Sequence, residues 1–144
     1  MNNDEYYMSL TLKEAKKAYK KEDVPVGCII VMENKIISKA FNKKELTGIA
    51  TYHAEVLAIN KACKKLQTWH LENCTLYTTL EPCLMCTGAI IQSRIKKVVY
   101  GATNESFGYL SKLNNKKIEV KKNILEKECS KILTDFFYKQ RTNK

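Results

Sequence analysis

The chain has 144 residues, 44% of them apolar and 28% charged, the balance of a soluble globular protein with a core of its own. That length suits one domain and is short for two, so residues 1–144 are read as a single unit. No apolar run approaches the roughly 18 residues of a membrane span. The opening Met1 to Tyr7 has no basic start followed by an apolar stretch, so no secretory signal is expected there.

In chain order, residues 4–20 have the spacing of an amphipathic helix, with Tyr7, Leu10, Leu12, Ala15 and Tyr19 on one side. Val24 to Met32 and Lys35 to Phe41 read as two strands of a hairpin turning at Glu33-Asn34. A polar loop, 42–52, follows. His53 to Leu66 is a helix burying Leu57, Ile59, Ala62, Cys63 and Leu66. Cys74 to Thr79 is a third strand. Pro82 is placed in the first turn of a helix running to about Ser93. Lys97 to Ala102 is a fourth strand, and 103–115 is a connection without a clear pattern. Ile118 to Val120 is a short fifth strand. Ile124 to about Lys139 is a last helix, buried through Leu125, Cys129, Ile132, Leu133, Phe136 and Phe137. Strands separated by helices predict an α/β fold, a three-layer α/β/α sandwich on a mixed sheet, antiparallel at the hairpin and parallel after it.

The net charge of +10 is uneven, because residues 94–144 carry 13 basic and 5 acidic side chains. Such an excess suits a polyanion such as nucleic acid. A composition rich in Lys, Asn and Ile would give the same excess with no partner at all. The lysines at 116, 117, 121 and 122 read as a solvated face, and Tyr6-Tyr7 as packing.

Six cysteines are present, and the chain is not a small disulfide scaffold. Cys28, Cys63 and Cys129 fall on apolar faces and read as small core residues of a cytosolic, reduced protein. Cys83 and Cys86 stand at i and i+3, so on a helix both sulfurs point the same way. With His53 they make three ligands of the kind zinc prefers, leaving a fourth position for water, as in catalytic sites. Helix starts favour the thiolate form of both cysteines. Glu55, two residues from His53, diverges from it on a helix and is free to move protons. Two other readings stay open. His70, Cys63 or Cys74 would close a structural zinc site as a fourth ligand, and a lone Cys-x-x-Cys can be redox-active. His70 beside Trp69 reads as a packed loop residue.

His-x-Glu followed by Pro-Cys-x-x-Cys is the general signature of zinc-dependent nucleobase deaminases. The run Thr78 to Cys86, with Gly88 to Ile91, Ser93-Arg94-Ile95, Val98 to Gly101, Val24 to Gly27, Asn42 and His53-Ala54-Glu55, resembles the bacterial tRNA-specific adenosine deaminases. So does the tail from Glu128-Cys129-Ser130 through Asp135-Phe136-Phe137 to Arg141. The resemblance covers nearly the whole chain. It implies the cytidine-deaminase-like fold, a five-stranded sheet between helices with strands four and five parallel. It implies a cytoplasmic homodimer with one Zn²⁺ per subunit, converting adenosine to inosine at the wobble position of a tRNA anticodon loop, typically of an arginine tRNA. His53, Cys83 and Cys86 would hold zinc and Glu55 would shuttle protons. Ala54 and Cys83 would turn their backbone to the reacting centre, and Asn42 would hydrogen-bond the base. Pro25, Val26 and Pro82 would wall the pocket, and Phe137 and Arg141 would sit near the anticodon loop. One segment departs from the family pattern: Asn104 stands where an aspartate is usual, and the connection after it is shorter. Deamination of a free base or nucleoside (guanine, cytosine or cytidine) and a non-catalytic, zinc-stabilised RNA-binding module are the two alternatives.

Overall fold

The computed structural model describes residues 2–114 and 117–142. Its order is α1 (Asn3–Lys20), β1 (Gly27–Met32), β2 (Lys35–Phe41), α2 (Lys44–Thr47), α3 (Ala54–Leu66), β3 (Cys74–Leu80), α4 (Leu84–Gln92), β4 (Lys97–Ala102), a 3-10 turn (Leu110–Lys112), β5 (Glu119–Lys121) and α5 (Glu126–Thr142). The five strands form one sheet in the order β2-β1-β3-β4-β5. β1 pairs antiparallel with β2 and β3, while β3–β4 and β4–β5 are parallel. α1 and α5 cover one face, and α3 and α4 the other. This is the expected three-layer α/β/α sandwich.

Alternation along the strands builds the two cores. Cys28 and Ile30 of β1, Leu76 of β3 and Val98 and Tyr100 of β4 pack beneath Ala54, Ala58 and Ala62 of α3. Their neighbours Ile29, Val31, Tyr77 and Val99 point the other way, onto Tyr7, Met8 and Leu12 of α1 and Cys129 of α5. The small residues of α3 let that helix lie close over the sheet. The hairpin turn places Glu33 and Asn34 at φ 51° and 64°, the twist that a two-residue turn between antiparallel strands requires.

Several boundaries differ from the sequence reading. β1 begins at Gly27 rather than Val24, because the Val26 amide turns back to the Val24 carbonyl and Pro25 has no N–H to give a ladder. The loop 42–52 contains α2, a single turn with no buried residue and thus no apolar period to read. Pro82 precedes the helix instead of opening it, since Cys83 is the N-cap of α4. The buried face of α1 is Tyr7, Met8, Thr11, Leu12, Glu14, Ala15 and Ala18, with Leu10 and Tyr19 only partly covered. In α3, Leu57, Cys63 and Leu66 are half-buried and Ala54, Glu55 and Ala58 are buried in their place. On α5 only Cys129 and Phe136 are buried, and Phe137 is 45% exposed. β5 sits one residue later than expected. Tyr6 is exposed while Tyr7 is buried. Lys117, Lys121 and Lys122 are exposed; Lys116 lies outside the described residues. Among the described residues no helix is long and apolar enough to cross a membrane.

Candidate active site

Two helix starts meet at the end of β3. His53 is the N-cap of α3 and Cys83 the N-cap of α4, and neither side chain makes the capping hydrogen bond of its helix. A Ser, Thr, Asp or Asn cap would add roughly 1 kcal/mol at each position. Both helices forgo it, and the freed side chains turn towards each other. His53 Nδ1 lies 3.7 Å from Cys83 Sγ and 3.5 Å from Cys86 Sγ, the latter on the first turn of α4. A tetrahedral zinc with usual bond lengths sets its nitrogen and sulfur ligands about 3.6 Å apart. The three side chains therefore fit zinc in spacing as well as in donor type.

Among the described residues no fourth His, Cys, Asp or Glu joins this group. The three candidates for closing it are placed elsewhere. His70 is exposed, hydrogen-bonds Glu72 at 3.0 Å and stacks on Trp69 with centroids 3.8 Å apart. Cys63 lies in the last turn of α3 and Cys74 at the start of β3, close enough for one to raise the other's pKa. The cysteines are all free thiols.

Electrostatics separates the two sulfurs. The Cys86 S–H donates to Cys83, so Cys83 falls to about 3, helped by His53, while Cys86 is pushed well above the usual thiol range. Cys83 in turn raises His53. Glu55, the second residue of α3, is buried, and burial drives its carboxyl up to about 7 against the pull of its own backbone N–H and of His53. A carboxyl near 7 both takes and gives a proton readily at neutral pH.

These groups open onto a cavity of about 380 Å³ lined by Val24, Val26, Asn42, Lys44, His53, Ala54, Glu55, Leu80, Glu81, Cys83, Asn104 and Phe107. Val26, Asn42, Ala54 and Asn104 are thus placed in its lining. Pro25 and Pro82 are buried beside it but not in its wall. Phe137 and Arg141 lie exposed on α5, which packs on β4, β3 and α1, and neither lines the cavity. A second hollow of about 430 Å³ lies between α1 and α5, without His53, Glu55, Cys83 or Cys86 in its lining.

Two buried carboxylates shape the walls. Asp23 is fully buried; its Oδ1 accepts from the Val24 amide at 2.8 Å and Asn42 Nδ2 at 3.3 Å. Its Oδ2 accepts from the Glu45 and Leu46 amides, both at 3.0 Å, capping α2 from a distance. Lys43, the formal cap, has ψ 19° instead of the extended backbone of a self-capping residue. Asn42 Nδ2 also donates to the Val24 carbonyl, and Oδ1 accepts from the Lys44 amide. Glu81, only 1% exposed, takes the Asn104 amide on Oε1 at 3.2 Å and the Ser111 amide on Oε2 at 2.8 Å. Sequence reasoning missed both. The available signal was an acid set among apolar and proline residues, Asp23-Val24-Pro25-Val26 and Leu80-Glu81-Pro82.

The model of the MafB19-like deaminase family matches residues 2–141. The tRNA-specific adenosine deaminase of Bacillus subtilis (strain 168) is 44% identical over 152 residues, covering all of this chain and 94% of its own. That of Aquifex aeolicus (strain VF5) is 46% identical over 147 residues, covering 96% of this chain and 97% of its own. The chain belongs to the tRNA-specific adenosine deaminase family. A solved structure from a study of A-to-I editing by tRNA:A34 deaminases at the wobble position of transfer RNA matches with a TM-score of 0.84 at 32% identity, covering 89% of this chain and 99% of that one. As a tRNA-specific adenosine deaminase family member, the protein is an enzyme with the cytidine-deaminase-like fold expected from its sequence. The cavity with His53, Glu55, Cys83 and Cys86 is its candidate active site.

Proposed function

We propose that this enzyme hydrolyses adenosine to inosine at the wobble position of a tRNA anticodon loop, with an arginine tRNA as the first substrate to test. One observation carries the reading: His53, Cys83 and Cys86 converge at zinc spacing, with Glu55 buried in the same cavity and no fourth protein ligand among the described residues. The similarity to tRNA-specific adenosine deaminases along the whole chain supports the substrate. The basic balance of residues 94–144 suits RNA. We take residues 1–144 as one deaminase domain, acting in the cytoplasm as a homodimer with one zinc per subunit.

His53, Cys83 and Cys86 would hold the zinc. When bound, zinc lowers the pKa of water to about 7 and so makes hydroxide available at neutral pH. The target base leaves its stack to enter the cavity, where Val24, Val26 and Leu80 give it apolar walls. Asn42 has both amide hydrogens engaged, so one lone pair of Oδ1 remains to meet a donor on the nucleotide. The first turn of α3 has no side-chain cap, which leaves the backbone N–H of Ala54 for the substrate. Glu55 takes the proton from water, passes it to the ring nitrogen next to C6, and helps the amine leave as ammonia.

The test is inosine mapping in tRNAs bearing adenosine at the wobble position, with zinc measured in the same protein. Inosine from the wild type and none from Glu55→Ala, with zinc retained in both, is the expected result. Ammonia released from guanine, cytosine or cytidine, with no inosine in any tRNA, would transfer the site to free bases or nucleosides. RNA binding without turnover would make the protein a zinc-stabilised binding module.

A further inference from the structure

The cavity rim carries an aromatic ring that no part of the chemistry uses. Phe107 is 77% exposed, more than any other large apolar side chain described as exposed, and it lines the cavity mouth. Water solvates such a ring poorly, and its faces are open to a planar partner. Its position is tightly specified by polar contacts. The Phe107 amide donates to Asn104 Oδ1 at 3.0 Å, and the Gly108 amide to the Asn104 carbonyl at 2.9 Å, closing a turn beneath the ring. Gly108 bridges to Cys83, and the Tyr109 amide donates to the Pro82 carbonyl at 3.0 Å. Glu81 grips both ends of this segment, at Asn104 and at Ser111. The fit is close: a Cβ at position 108 would fall 2.5 Å from Glu81 Oε1 and would also strike the Asn104 carbonyl.

We propose that Glu81 is a positioning residue for the RNA: it holds the 104–111 segment so that Phe107 stands at the cavity rim and stacks on a base next to the one in the cavity. This rests on the reading of the enzyme as an RNA deaminase. A nucleotide flipped from a loop leaves its neighbour with an uncovered face, and an aromatic side chain is the usual cover for one. The carboxylate suits the task because two amides point at it and each oxygen takes one. A glutamine would set an NH₂ group against one of those amides.

The experiment measures steady-state inosine formation on an anticodon stem-loop RNA with adenosine at the wobble position, alongside zinc content. Phe107→Ala removes a ring that is 77% exposed and belongs to neither core cluster, so the fold should stay intact. It should raise KM by about 5- to 150-fold, the span of one base–aromatic stack, with a much smaller fall in kcat and unchanged zinc. Phe107→Tyr should restore KM. Glu81→Gln should raise KM in the same direction, and Gly108→Ala, which pushes on the same carboxylate from outside, should reproduce it. In the Phe107→Ala background Glu81→Gln should change KM by less than about 2-fold, because both act through one ring. An unchanged KM in Phe107→Ala overturns the stacking role. Full additivity of the two substitutions, or loss of zinc from Glu81→Gln, overturns the positioning role. A wild-type enzyme that makes no inosine in any RNA removes the RNA reading itself and this inference with it.

Discussion

The phenol of Tyr77, at the centre of the sheet, donates a 2.7 Å hydrogen bond to Oδ1 of Asp4 in the first turn of α1. Lys121 of β5 reaches Asp4 Oδ2 at 3.1 Å. One carboxylate thus ties the first helix to the middle strand and to the last. Burial pushes the Asp4 carboxyl up, but the bonds from Tyr77 and Lys121 and the charge of Lys97 outweigh it and leave the pKa below its usual value. A depressed carboxyl stabilises the fold above the unfolded pKa, near 3.9, and the gain is lost as pH falls through the folded pKa. Asp4→Asn should therefore be less stable than wild type in urea titrations at pH 6–7, and the gap should narrow steadily below pH 4. A gap that does not depend on pH would show that the carboxylate's charge contributes nothing.

Glu55 predicts the opposite pH trend. Its carboxyl is raised to about 7, so between roughly pH 4.3 and 7 the folded chain keeps a proton that the unfolded chain has released. Stability from this group falls as pH rises through that window. In zinc-stripped protein, Glu55→Gln should be more stable than wild type at pH 8, by up to about 3 kcal/mol, and equal to it near pH 4. The same substitution should lower kcat by about 10²- to 10⁴-fold, the worth of a proton carrier. Thermal melts and single-turnover assays on one preparation check both.

Metal stoichiometry separates the cysteines. Cys86→Ser and His53→Ala should each leave less than one zinc per chain and abolish turnover. Cys63→Ser, on the last turn of α3, should keep both zinc and activity. Retention of a full zinc equivalent in His53→Ala, by elemental analysis after gel filtration, would displace the imidazole from the ligand set.

Asp23→Asn should cost about 2–5 kcal/mol, because a buried carboxylate with four hydrogen-bond partners becomes an amide whose NH₂ faces donors. Hydrogen exchange should show the loss first at the Glu45 and Leu46 amides. Protection there equal to wild type would mean that α2 is held by something other than Asp23.

The core and the metal corner were legible in the sequence for the same reason. Both depend on short-range pattern: the unbroken apolar run Cys28-Ile29-Ile30-Val31, and the i, i+3 pair Cys83 and Cys86. β2 and β4 fall where expected because each is a short, mainly apolar run that starts at a lysine and ends at a polar loop, Asn42 after β2 and Thr103-Asn104 after β4. What escaped notice depends on contacts between distant segments. α2 has no apolar stripe, and its cap, Asp23, comes from before β1. Glu81 binds amides 23 and 30 residues away, and nothing local to Leu80-Glu81-Pro82 says which. α4 starts later than expected because the Cys83 backbone is extended, at ψ −179°, and bridged to Gly108, which leaves Pro82 outside the helix. Phe136 and Phe137 share a composition but not a side of α5, and only the packing of Phe136 against Tyr19 decides which is covered.

Trp69 is the sole tryptophan of the chain. It precedes β3, whose other end leads to Glu81 and Cys83, so a strand length of roughly 20 Å separates the indole from the cavity. Tryptophan fluorescence consequently reports on the opposite end of the central strand, away from the cavity. Phe107→Trp in a Trp69→Phe background would move the emitter to the rim, giving an optical readout of RNA engagement that the native chain lacks.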